Sequence, residues 1–236
     1  MGNAVEISKL RKEYNGKAAV DDIDIQIEED SLFALLGVNG AGKTTTIKML
    51  TGLVKPTSGD AAIFGHSIVR EIDRVKKIVN ISPQETSIAP NLTVRENLEF
   101  MAGIYGMDKD EIRKRVEEMI EKFSLGEVEK QRAKTLSGGW QRKISIAMAL
   151  ITKPKVVFLD EPTLGLDVLA RRELWKEIKR LKKEVTIVLT THYMEEAEAL
   201  ADKVAIMVEG KIRMAATVDG ILKATEKKNL EEAFVQ

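Results

Sequence analysis

Leu32-Phe33-Ala34-Leu35-Leu36 runs directly into Gly37-Val38-Asn39-Gly40-Ala41-Gly42-Lys43-Thr44, with Thr45 next. A short unbroken apolar run reads as a strand covered on both faces. The glycines end it. Beyond them Ile47, Leu50 and Leu53 recur at helical spacing. Strand, glycine loop, helix is the setting in which G-x-x-x-x-G-K-[ST] holds a phosphate chain. A ligand-free glycine turn is the plain alternative, and the buried strand before it and the helix after it argue against that.

The chemistry follows from the residue types. Glycines let backbone N–H groups turn inward around phosphate oxygens. A helix starting near Lys43 adds the positive end of its dipole. Lys43 would bridge the β- and γ-phosphates, and the Thr44 hydroxyl would ligate Mg²⁺.

Further buried strands are expected at 156–159, 186–189 and 204–208, separated by helical sequence, which predicts a parallel α/β sheet. Val156-Val157-Phe158-Leu159-Asp160-Glu161 carries two acids at the carboxyl end of such a strand, where open sheets bind ligands. Asp160 would hold Mg²⁺ through water, and Glu161 would polarise the attacking water. Nearer the N-terminus, 5–10 and 23–27 alternate apolar with polar, as antiparallel strands with one wet face do. Between 93 and 152 helical patterns dominate. Asp108 and Glu111 can pair as a helix cap, and Ile112, Val116, Met119, Ile120 and Phe123 share one face. The helical stretch reads as a subdomain inserted into an α/β core that comprises 1–92 and 153–236.

Composition sets bounds. Lys plus Arg equals Asp plus Glu at 37 each, so bulk charge suggests no nucleic-acid partner. With no cysteine there is neither a disulfide nor a thiolate metal site. The longest apolar stretches, such as 144–151, fall far short of the roughly 20 residues that span a bilayer, and no signal-peptide pattern opens the chain. If the protein acts at a membrane, another chain supplies the spanning helices. Met101, Met119 and Met148 read as core filling.

Leu136-Ser137-Gly138-Gly139 lies between the glycine loop and the acidic strand. With this third motif in that order, the chain resembles the nucleotide-binding subunit of an ATP-binding cassette (ABC) transporter over nearly its whole length. The resemblance implies an α/β fold with a P-loop NTPase core on a parallel sheet, an N-terminal antiparallel β subdomain and the inserted helical subdomain. It implies that Ser137, Gly138 and Gly139 cap the γ-phosphate of ATP bound to the opposite subunit. A hydroxyl, two N–H groups and a helix start do form an anion site. Gln84, after Ile81-Ser82-Pro83, matches the family's glutamine loop, which reaches Mg²⁺. His192, in Leu189-Thr190-Thr191-His192, matches the switch histidine that contacts the γ-phosphate and water. Gly165-Leu166-Asp167 matches the loop through which subunits communicate, with Asp167 as its acid. Tyr14 matches the aromatic that stacks on adenine. His66 has no motif around it and reads as surface.

Some positions depart from the family. Trp140 stands where glutamine is usual, Leu164 replaces a serine and Val168 a proline. None removes a phosphate or metal contact.

The implied activity is ATP hydrolysis with Mg²⁺ at a head-to-tail interface, driving a separate integral-membrane permease from the cytoplasmic face of the membrane as a peripheral subunit. The partner subunit is a second ATP-binding chain, identical or different. The ending Leu230-Glu231-Glu232-Ala233-Phe234 resembles cassettes paired with drug- or lipid-type exporters and lacks the regulatory domain of some sugar importers. A cassette ATPase of translation or chromosome maintenance is the rival. The single glycine loop, the absence of a long coiled coil and the neutral charge argue against it. Intact Lys43, Asp160, Glu161 and His192 argue against a catalytically dead regulator.

Overall fold

The computed structural model describes residues 2–234. Two strands open the chain, β1 (Asn3–Tyr14) and β2 (Lys17–Glu28), paired antiparallel. Asn15 and Gly16 join them, both at positive φ (50° and 76°), the hairpin turn whose twist matches its strands. Lys9 also has positive φ, 45°, where the pairing slips. That bulge turns Leu10 fully inward and breaks the strict alternation.

The buried run follows as β3 (Leu32–Leu36), then α1 (Lys43–Leu50). Leu53 does not extend this helix. Thr51 caps it, Gly52 takes φ 71°, and Leu53 is left exposed. Next come β4 (Ser58–Ile63), β5 (His66–Ser67), the short α2 (Ile72–Val75) and β6 (Val79–Ser82). Three helices follow: α3 (Val94–Ile104), α4 (Lys109–Lys122) and α5 (Gly138–Leu150). Thr93 and Asp108 cap the first two with full capping boxes, the second being the Asp108–Glu111 pair. The remainder is β7 (Val156–Asp160), α6 (Val168–Leu181), β8 (Thr186–Thr191), α7 (Met194–Leu200), β9 (Lys203–Val208), β10 (Lys211–Ala216), α8 (Val218–Thr225) and α9 (Leu230–Phe234).

These strands form two sheets. One has the order β2-β1-β4-β5 and is antiparallel; the other has the order β10-β9-β3-β8-β7-β6. In the second, every pair is parallel except β10 with β9. The fold is therefore α/β as expected, with an antiparallel edge that the sequence pattern did not reveal.

The continuous apolar run of β3 has a simple cause. Leu32, Ala34 and Leu36 face a core shared with α3–α7, whereas Phe33 and Leu35 face a second core shared with α1 and the antiparallel sheet. Each face of the strand needs its own apolar set. Val116, Met119, Ile120 and Phe123 join the first core, as do Met119 and Met148 among the methionines, with Met101 packed at its margin. No helix among the described residues is long and apolar enough to cross a membrane.

Candidate functional site

Four loops leave the carboxyl ends of neighbouring parallel strands. Gly37 follows β3, Gln84 lies two residues past β6, Glu161 follows β7 and His192 follows β8. This is the edge where open parallel sheets bind ligands. A cavity of about 460 Å³ lies there, lined by Tyr14, Ala19, Asn39 to Thr45, Gln84, Glu161 and Leu164.

Gly42 is the N-cap of α1 and has no side chain to satisfy the first-turn N–H groups. Lys43, Thr44 and Thr45 therefore present an uncapped helix start to the cavity. Gly42 sits at φ 109°, and a Cβ there would lie 2.4 Å from the carbonyl of Ala19. Only glycine fits. Gly37, by contrast, lies beneath the loop and does not line the cavity.

Lys43 is almost fully buried. Its Nζ donates to the carbonyls of Gly37 (2.7 Å) and Val38 (3.2 Å) and lies 3.1 Å from Oε1 of Glu161. The lysine thus holds its own loop and the carboxylate opposite. Glu161 is bound on its other side by Nδ1 of His192, 2.8 Å from Oε2. Glu161 has φ 49°, a left-handed backbone that costs of order 1–3 kcal/mol and is typical of functional sites.

Asp160 ends β7 and is 3% exposed. Its Oδ1 accepts from the Thr44 hydroxyl (3.1 Å) and from the Thr190 hydroxyl (2.5 Å). Thr190 Oγ1 also accepts from the backbone N–H of Glu161 at 3.0 Å. Sequence reasoning missed Thr190 as a site residue, because only strand pairing brings β8 beside β7. A threonine hydroxyl that lines the cavity, next to a buried carboxylate, is a hard-oxygen donor set suited to Mg²⁺, which commonly binds one or two carboxylates plus substrate phosphates.

The middle motif lies apart from this cavity. Ser137 is the N-cap residue of α5 but its hydroxyl makes no cap hydrogen bond, unlike Asp108, Asp167 and Thr217 in this chain. Ser137 and Gly138 are exposed, and the lining of the cavity does not include them. Asp167 caps α6, accepting from the N–H groups of Leu169 (2.9 Å) and Ala170 (3.0 Å). Trp140 packs at the core margin with Lys143 Nζ 5.0 Å from its ring centre. Leu164, a departure from the family, lines the cavity itself, and His66 is half-buried beside Glu71 at 3.4 Å.

A second buried acid was not foreseen. Glu196, on α7, is fully buried, and its Oε1 accepts from Nε1 of Trp175 at 3.0 Å. Burial pushes its carboxyl pKa up, the charge of Glu161 adds to this, and the hydrogen bond from Trp175 only partly offsets it.

Comparison with known proteins shows the family. The sequence model of the family described as ABC transporter matches residues 20–164. The chain is 44% identical over 213 residues to the human phospholipid-transporting ATPase ABCA3, covering 89% of this chain and 12% of that protein. It is 39% identical over 228 residues to the daunorubicin/doxorubicin resistance ATP-binding protein DrrA of Streptomyces peucetius, covering 96% of this chain and 69% of that one. The chain therefore spans only a small part of ABCA3. Among solved structures it is similar to an ATP-binding subunit of an ABC transporter, at TM-score 0.86 and 28% identity over 98% of both chains. It is equally similar, at TM-score 0.86 and 27% identity, to cbiO1 of Clostridium perfringens, part of the complex cbiONQ, covering 96% of this chain and 93% of that one. The chain belongs to the ABC transporter family, as an ATP-binding component of its ATP-hydrolysing kind.

Proposed function

We propose that this chain powers an exporter-type transporter by closing head to tail with a second ATP-binding subunit and hydrolysing ATP between them. One observation carries the reading: Lys43, Thr44, Gln84 and Glu161, from three strand ends, line one cavity of about 460 Å³, and His192, from a fourth, bonds Glu161 at its edge. In this reading Tyr14 stacks on the base. The backbone of Asn39 to Thr45 and Lys43 hold the phosphates. Glu161 accepts the proton of the attacking water, and His192 orients both. Thr44, Asp160 and Gln84 would hold Mg²⁺, which when bound neutralises charge on the phosphates. Ser137 to Gly139, with an uncommitted hydroxyl at a helix start, cap the γ-phosphate of the facing subunit. Asp167 lies in the loop between the two sites.

The helices of 93–152 are the part that meets the permease. Phe100 and Ile104, one turn apart on α3, are 56% and 62% exposed, and Tyr105 and Leu53 continue the patch. A shallow cavity of about 290 Å³ lined by Leu53, Lys76, Ile81 and Tyr105 adjoins it. Exposed apolar patches of this kind mark partner surfaces. The partner is an integral-membrane protein, and this chain sits peripherally at the cytoplasmic face. An amphipathic cargo of the drug or lipid class fits the relatives' names. Those names also favour transport over translation or chromosome maintenance.

Two measurements test this. Purified chain should release phosphate from Mg-ATP, and a photo-crosslinker at Ile104 in native membranes should capture an integral-membrane protein. Capture of ribosomal proteins or DNA alone would overturn the transport reading.

A further inference from the structure

Arg142 belongs to no motif, yet it is 5% exposed and both terminal nitrogens of its guanidinium are hydrogen-bonded. Nη1 donates to the carbonyl of Pro83 at 2.7 Å, and Nη2 to that of Gln84 at 2.6 Å. One turn further along α5, the hydroxyl of Ser145 lies 2.8 Å from that of Ser82, both buried. One face of α5 is thus fastened to three consecutive residues that run off the end of β6. The last of them, Gln84, lines the nucleotide cavity. The helix so fastened begins with Gly138 and Gly139.

A buried guanidinium is expensive to desolvate. Burial lowers the proton affinity of Arg142, and the negative charge of Asp160 offsets this only in part. Its Nε has no hydrogen-bond partner among the described residues. The group is therefore poorly placed as a stability device. It is well placed as a fork: the planar guanidinium holds two separate nitrogens in a fixed geometry, one to each of two successive carbonyls, whereas a lysine has a single, freely rotating nitrogen on a flexible stem.

We propose that Arg142 is a positioning residue that couples the loop of Gln84 to the helix of Ser137, so that nucleotide in a chain's own cavity orients the surface it offers to the facing subunit. The inference rests on the functional reading above. When Gln84 is drawn toward bound nucleotide, its carbonyl moves, and α5 follows through the guanidinium. The serine pair keeps the hinge in register. Coupling of this kind needs a shared element that both sites bias, and in this proposal the latched loop and helix take that part.

The natural reporter is Trp140, between Ser137 and Arg142 on the same helix. In a chain carrying Trp175→Phe it is the one indole left, since the sequence has two tryptophans. Its emission is followed during titration with Mg-ATP at sub-micromolar protein, with light scattering used to verify the monomer. Nucleotide affinity is measured separately by calorimetry. The parent should change emission on binding. Arg142→Met should bind Mg-ATP with unchanged affinity, lose most of that emission change, and hydrolyse ATP about tenfold more slowly. Arg142→Lys keeps the charge but not the fork, and should retain less than half of the change. An emission change equal to the parent's in Arg142→Met, or a parent that binds nucleotide without any change, overturns the proposal. Should circular dichroism find Arg142→Met unfolded, Arg142→Lys decides, and a full-sized change there overturns it. A parent that binds no ATP sinks the functional reading itself, a separate outcome.

Discussion

Lys43 and Glu161 hold each other across the nucleotide cavity, Nζ to Oε1 at 3.1 Å, both buried. One is proposed to bind phosphate and the other to activate water, so the nucleotide must break this pair to enter. Two loop carbonyls also accept from the ammonium. The pairing offsets part of the cost of burying both charges.

Glu161→Gln tests that relationship together with the mechanism. It keeps the shape but removes the carboxylate that accepts the water's proton, so hydrolysis should fall by about 10²- to 10⁴-fold. Lys43 is released from its pair, so Mg-ATP should bind at least as tightly as in wild type. With hydrolysis blocked, the mutant should run as an ATP-bound dimer in size-exclusion chromatography while wild type stays mostly monomeric. A mutant that hydrolyses at the wild-type rate removes Glu161 from the role. An inactive one that stays monomeric under saturating ATP removes the head-to-tail dimer.

Lys43→Ala should abolish useful ATP binding, because it deletes the side-chain charge in a site otherwise made of backbone dipoles. Calorimetry with Mg-ATP is the check. An affinity comparable to wild type would mean that the phosphates lie elsewhere.

Ser137→Arg should leave the affinity of a single subunit for Mg-ATP intact, since this residue lies outside the lining of its own cavity. Dimer formation and phosphate release should both be lost. Normal turnover would contradict a role for this serine at the facing site.

Thr190→Val removes one hydroxyl that bonds both Asp160 and the N–H of Glu161. The shapes match, so packing survives. Losing the two bonds should cost about 1–3 kcal/mol in urea unfolding. As a residue that orients the acids from behind, it should lower ATPase activity about 10- to 100-fold. Unaltered activity would mean that the acids need no such support.

Glu196 makes a pH prediction. Burial raises its folded pKa above the ordinary 4.5, so the folded state holds its proton more tightly than the unfolded state. The stability this contributes is complete below about pH 4.5 and declines as pH rises through the folded value. Glu196→Gln stays neutral throughout. Its Tm relative to wild type should therefore be lower or equal at pH 4.5 and should improve steadily toward pH 8. A difference independent of pH would show that Glu196 is not held neutral by its site.

Much of this was legible in the chain itself. The loop Gly37 to Thr44, the acids Asp160 and Glu161, and His192 each lie at the end of an apolar run, and local pattern alone identifies those runs as strands. The Asp108–Glu111 cap and the apolar face of α4 are equally local, since the helix brings positions three and four apart together. Other features were not written locally. Leu53 keeps the helical spacing, but a positive φ at Gly52 ends the helix first. The edge strand β10 exposes alternate residues and carries no buried run. Sequence order determined which residues carry the chemistry, because phosphate loops and strand-end acids need particular side chains at fixed short spacings. Tertiary structure decided which of them meet: Thr190 with Asp160 across paired strands, Lys43 with Glu161 across the cavity, and Arg142 with Gln84 between helix and loop. Those contacts join residues 30, 118 and 58 positions apart, and only the parallel register of the sheet and the packing of α5 against it bring them within bonding distance.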